Sequence, residues 1–126
     1  MPDKVTWFEL PADDTDRAGK FYGDVFDWQT SEMGGGSLMA ITTTPSNDMG
    51  EPANPGAING DISPRSAVFD KPLIVIEVQD MAAKIEKIEA AGGTMAQAPA
   101  EMEGMDMIWA IVTDTEGNNI GLTQNL

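Results

Sequence analysis

With no histidine and no cysteine, any proton chemistry in this chain falls to carboxylates, lysines or its single tyrosine. Neither a Ser-His-Asp nor a Cys-His nucleophile can be assembled, and disulfides and thiolate-held zinc or iron are excluded. A carboxylate that works as a general base near neutral pH needs its pKa moved by burial. Glu9 is the first choice for that role. It stands two residues after Trp7 in a strand-like run, so the two share a face. Glu77 shares a face with Leu73 in the same way, and the stretch Ala57 to Ile62 carries Asn59 and Asp61. Glu9, Glu77 and Asp61 together could offer an all-oxygen site for a hard ion. Trp7 and Trp109 each fall on a predicted strand. Their indoles either offer a flat face to an aromatic or cationic guest, with Glu9 or Asp61 answering a positive charge, or simply fill space.

The elements that must position these residues come in a repeated order. Val5 to Leu10 alternates and is rich in aromatic and β-branched residues, as a strand should be. Asp13, Asp14 and Thr15 then supply oxygens for the free N–H groups of a helix start. Ala18, Phe21, Tyr22 and Val25 follow at helical spacing as one apolar face. The second half repeats the layout with strand Leu73 to Val78, cap Asp80, helix face Met81, Ile85 and Ile88, and Gly92 and Gly93 as the stop. The same interval separates Trp7 from Leu73 and Asp14 from Asp80. After the first helix come strand-like pieces at Gln29 to Met33, Ser37 to Thr44 and Ala57 to Ile62. After the second come Thr94 to Gln97, a loop around Pro99 to Gly104, then Met107 to Thr113 and Asn119 to Thr123. The sequence therefore predicts an α+β fold, βαβββ written twice. Neither half could bury its sheet face alone.

At 126 residues and 41% hydrophobic content the chain predicts a single globular domain, with module one about 4–63 and module two about 72–125. No apolar run approaches the ~20 residues of a membrane span. The start MPDKVTWFEL shows no basic segment followed by an apolar core, so a cytoplasmic home is expected. A formal charge of −14 repels phosphate backbones and argues against nucleic-acid binding. The scattered carboxylates read as a solvating surface, with an acidic groove that attracts a cationic ligand as the alternative. Gly34 to Ser37 (GGGS) lacks the Gly-Lys-Ser/Thr ending of a phosphate cradle and reads as a loop. DTEGNN lacks the alternating acids of a calcium loop and reads as a hairpin turn. Met102, Met105 and Met107 near Trp109 read as packing, with a soft wall for an apolar ligand as the alternative.

The layout, together with FELPADDTDRAGKFYGDVFDW, PGAINGDI and DTEGNNIGLTQ, resembles the vicinal oxygen chelate superfamily of glyoxalase I, extradiol dioxygenases and bleomycin resistance proteins. Small bacterial glyoxalase-like proteins are the nearest pattern. The resemblance implies two βαβββ modules packed as one domain, with a curved mixed sheet forming a cup for a metal or small ligand. In metal-using members the first and last strand of each module contribute one inward His or Glu. The matching positions here are Trp7, Leu73, Gly121 and either Asn59 or Asp61, so the usual metal and any other cofactor are not expected. The resemblance then implies a binder of a small organic molecule, probed by Trp7, Glu9, Asn59, Asp61, Leu73, Glu77, Trp109 and Gly121, and a homodimer as the assembly. The alternative is a glyoxalase-related lyase or isomerase that uses carboxylates, Glu9 first, or an atypical metal site.

Overall fold

The computed structural model describes residues 2–33, 38–48, 50–102 and 104–126, with Met33, Leu38 and Met39 described by backbone alone. The GGGS stretch lies outside the described residues. The chain divides into two compact units, Trp7–Pro72 on one hand and Met1–Thr6 with Leu73–Leu126 on the other.

The first unit carries β1 (Lys4–Ala12, its first residues counted with the other unit), α1 (Thr15–Phe26), β2 (Gln29–Met33), β3 (Leu38–Thr42) and β4 (Asn59–Pro64). Its strands lie in the order β2-β3-β4-β1. β3 runs antiparallel to β2 and to β4, whereas β4 and β1 are parallel in the register Trp7↔Asn59, Glu9↔Asp61 and Pro11↔Ser63. The parallel pair is possible because α1 and two strands supply the crossover. α1 begins where the sequence predicts, with the Asp14 carboxylate accepting from the Arg17 backbone N–H at 2.9 Å. It ends at Asp27, whose φ of 59° is left-handed.

Ala12, Ile41 and Ile62 form the buried centre, with Phe8, Leu10, Ala18, Tyr22 and Trp28 packed against it. Full burial of an Ile contributes about 1.5–3 kcal/mol, so these few side chains fix which face of the sheet meets α1. Alternation along the strands then places Trp7, Glu9, Asn59, Asp61 and Ser63 on the face away from α1. Gly60 lies on the helix side beneath Phe8. A Cβ there would sit 2.4 Å from the Phe8 carbonyl oxygen and 2.7 Å from its ring.

The second unit carries β5 (Leu73–Glu77), α2 (Met81–Ala90), β6 (Thr94–Met102), β7 (Met107–Thr113) and β8 (Asn119–Asn125), in the order β5-β8-β7-β6. Asp80 caps α2 through the Ala83 N–H at 3.1 Å, and Gln124 accepts from the Met81 N–H at 2.8 Å. The core joins Met81 and Ile85 to Val78, Ala110, Val112 and Leu122, with Ile88 at its margin. DTEGNN is the hairpin turn the sequence predicts. The Asp114 carboxylate accepts from the Glu116 and Asn118 backbone N–H groups, which holds it below the usual carboxylate range, and Gly117 takes a φ of 85°.

Two expectations are corrected. The predicted loop around Pro99 is strand, because β6 continues to Met102 with register shifts on either side of Gln97. Proline is tolerated since β6 is the terminal strand in that order and the bulge absorbs the missing donor. The apolar face predicted for α1 is also only half used. Ala18 and Tyr22 pack inward, but Phe21 and Val25 are each 55% exposed.

Candidate functional site

The parallel register of β1 and β4 brings together four of the residues singled out from the sequence. Trp7 donates its indole N–H to the Asp61 Oδ2 at 2.7 Å, and Ser63 donates its hydroxyl to Oδ1 of the same carboxylate, also at 2.7 Å. Asp61 is buried at 7% exposure. Burial raises its pKa, while the hydrogen bonds from Trp7 and Ser63 pull it back toward the ionised form. Glu9 sits directly across the strand pair from Asp61 and accepts no hydrogen bond among the described residues. Burial first, and the Asp61 charge second, push its carboxyl up to about 8. The two acids are therefore unequal: one has donors that favour its charge, and the other keeps its proton at neutral pH. A pair of this kind can present a hydrogen-bond donor beside an acceptor, and it can exchange a proton with a guest near pH 8.

Ser63 escaped the sequence reading. Its signal was present, since it stands two residues beyond Asp61 on the same strand and so shares its face.

Asn59 has a different task. Its Oδ1 accepts from the Thr43 N–H at 2.9 Å, while its Nδ2 donates to the Ser46 hydroxyl at 2.8 Å and the Gly50 carbonyl at 3.1 Å. With its amide engaged by the loop that precedes β4, Asn59 ties that loop to the strand.

Leu73, Glu77, Trp109 and Gly121 lie in the second unit on the sheet face away from α2. Leu73 is buried, and Val75 fills the space at Gly121, where a Cβ would stand 3.0 Å from the valine Cγ2. Trp109 is half-buried on β7 opposite Thr123 of β8. Glu77 accepts from the Asn125 Nδ2 at 2.6 Å. Among the described residues no three of His, Cys, Asp or Glu come together as ion ligands; of the all-oxygen trio, Glu9 and Asp61 belong to the first unit and Glu77 to the second. Met102 and Met107 are half-buried and Met105 is 41% exposed, so this methionine group is not the core filler expected.

Residues 4–122 match the family model of the Glyoxalase/Bleomycin resistance protein/Dioxygenase superfamily. The chain belongs to that superfamily. A "Glyoxylase-like domain-containing protein" from Didymella fabae is 30% identical over 119 residues, covering 91% of this chain and 88% of the relative. Among solved structures, a methylmalonyl-CoA epimerase in complex with methylmalonyl-CoA and NH4+ shares 12% identity at a TM-score of 0.69, covering 99% of this chain and 96% of the other. A superfamily member from Vibrio splendidus 12B01 shares 11% identity at a TM-score of 0.64, over 99% of this chain and 100% of the other. At such identities the two structures show a common glyoxalase-superfamily fold. The α+β class and the family resemblance read from the sequence are thereby established. Among the described residues no helix is long and apolar enough to cross a membrane.

Proposed function

We propose that this superfamily member binds a small organic molecule on the Trp7, Glu9 and Asp61 face of its first module, without the divalent metal that the fold family implies. The observation that carries the reading is the contrast at the carboxyl pair. Asp61 is satisfied by two protein donors, whereas Glu9, mostly withdrawn from water, has no protein hydrogen-bond partner among the described residues. A guest that accepts from the Glu9 hydroxyl while lying against the Trp7 indole would supply that partner.

The donor set does not fit a divalent ion. Trp7 and Leu73 offer no lone pair, Gly121 has no side chain, Glu9 holds a proton, and both Asp61 oxygens are already engaged by Trp7 and Ser63. That a fold neighbour is in complex with methylmalonyl-CoA supports a small organic guest as the class. We expect the assembly to be a homodimer, which light scattering of the purified protein would check.

A second reading is favoured by one observation. A carboxyl that titrates near 8 is suited to give and take a proton at neutral pH, so Glu9 could serve an isomerase or lyase step on a small oxygenated substrate. Two measurements separate the readings. Purified protein should carry no stoichiometric Ni, Zn or Mn, and a thermal-shift screen of small organic molecules should return stabilising guests whose effect is lost in Glu9→Leu, which cannot donate, and kept in Glu9→Gln, whose amide can. Stoichiometric metal that supports turnover would overturn the first reading. Turnover of a guest by the metal-free protein, abolished in Glu9→Gln, would establish the second.

A further inference from the structure

A separate groove of about 370 Å³ lies at the start of α1 in the first unit. Its walls combine features found together nowhere else in the sequence. The chain contains two arginines, Arg17 and Arg65, and both line this groove, beside Phe21 and Tyr22 and over Pro11 and Ala18.

The two guanidiniums are differently placed. Arg65 is anchored, its Nε donating to the Asp13 carboxylate at 3.0 Å and its Nη1 to the Asp70 carbonyl at 2.7 Å. The Arg17 guanidinium makes no hydrogen bond or ion pair among the described residues. Asp13 and Asp14 also line the groove, but Asp13 is paired with Arg65 and Asp14 caps the helix through the Arg17 backbone N–H. Arg17 is therefore the cation left to answer a ligand.

The aromatic wall is pre-ordered. Tyr22 stacks on Trp28 at 5.3 Å with 10° between planes, and Phe21 meets Tyr22 edge-on at 5.1 Å. Phe21 nevertheless leaves 55% of its surface in water, an unusual exposure for a large aromatic that has a ring beside it.

We infer that this groove is a binding site for a small aromatic carboxylate, whose ring packs on Phe21 and Tyr22 while its carboxylate pairs with the Arg17 guanidinium. A planar, delocalised guanidinium matches a carboxylate bidentately, and a rigid aromatic wall takes a flat ring at low entropic cost. The Arg17 guanidinium favours an anionic head group over a neutral or cationic one, with the Asp14 carboxylate, which stays charged while it caps α1, working against it. The chain is strongly acidic overall, and this groove gathers both of its arginines, which offers an organic anion a counter-charge there.

The inference is independent of the Glu9 site, since the groove lies at the start of α1 and the carboxyl pair lies on the sheet face away from that helix. The test uses phenylacetate with its neutral and cationic analogues, phenylacetamide and phenethylamine, titrated into isotopically labelled full-length protein and followed by backbone amide shifts. The site predicts phenylacetate shifts confined to residues 11–22 and 65, at least five-fold weaker binding of both analogues, and at least five-fold weaker phenylacetate binding in Arg17→Gln. Arg17 is exposed and its side chain has no partner among the described residues, so that variant keeps its fold, and its unchanged amide spectrum away from the groove would verify this. Phe21→Ala should weaken phenylacetate binding as well. Shifts elsewhere, an unaffected Arg17→Gln, equal binding of phenethylamine, or protection of the groove by self-association in concentration-dependent spectra would each overturn it.

Discussion

At the scale of single residues, the carboxyl pair ties stability to pH. A group whose folded pKa of about 8 lies above its ordinary 4.5 binds its proton more tightly in the folded chain. Its stabilising contribution is complete below about pH 4.5 and is lost as pH rises through 8, because the folded state must then either keep a proton the solvent disfavours or bury a charge. The upper bound of the effect is about 5 kcal/mol, and partial contact with water lowers it. Glu9→Gln keeps the shape and removes the titration. The variant should therefore melt several degrees higher than the native protein at pH 8 and show a flatter melting profile between pH 5 and 8. A native profile that is already flat across that window would contradict the account. Trp7 works in the opposite sense on Asp61, since its N–H favours the ionised carboxylate.

At the scale of elements, close backbone approach matters more than side-chain chemistry. Gly60 lets the Phe8 ring and carbonyl pass directly over β4. In Gly60→Ala the methyl would meet a backbone oxygen that cannot swing away, so β1 and β4 must shift apart at the very register that aligns Glu9 with Asp61. A loss of at least about 2 kcal/mol is expected in chemical denaturation, together with a fall in the Glu9 pKa as water enters the pair; unchanged stability would mean that the strands are looser than described.

The elements themselves were largely legible in the sequence, because strand alternation, Asp14, Asp80 and the helical spacing of Met81, Ile85 and Ile88 are local signals. Proline on β6 was misleading because only tertiary placement tells a terminal strand from a central one. The α1 pattern misled for a related reason: helical spacing marks an apolar stripe but not its covered width, and here Ala18 and Tyr22 take the contact while Phe21 and Val25 lie outside it. The site was legible only in part. That Glu9 and Trp7 share a face follows from parity, but their alignment with Asp61 on β4 depends on a parallel register between strands far apart in the chain, and no local signal specifies it.

At the scale of the whole molecule, the charge of −14 sets the salt response. Among the described residues three ion pairs, Lys20–Asp24, Arg65–Asp13 and Lys84–Asp3, join cations to carboxylates, and most of the other described carboxylates are left to repel one another. Raising sodium chloride from about 10 mM to about 0.5 M shrinks the screening length from about 30 Å to a few ångströms, so the melting temperature should rise by several degrees; a fall with added salt would show that attractive pairs outweigh the repulsion. The superfamily scaffold is thus carried by an acidic chain whose candidate site rests on a buried carboxyl pair, in which Glu9 keeps its proton at neutral pH. The most direct test is the titration of the Glu9 side-chain carboxyl, followed by carbon-13 NMR in the native protein and in Asp61→Asn. The account predicts a midpoint near 8 in the native chain, and in the variant a midpoint that is lower but still above the ordinary 4.5, since burial is the larger cause. A native midpoint between about 4 and 5 would contradict it.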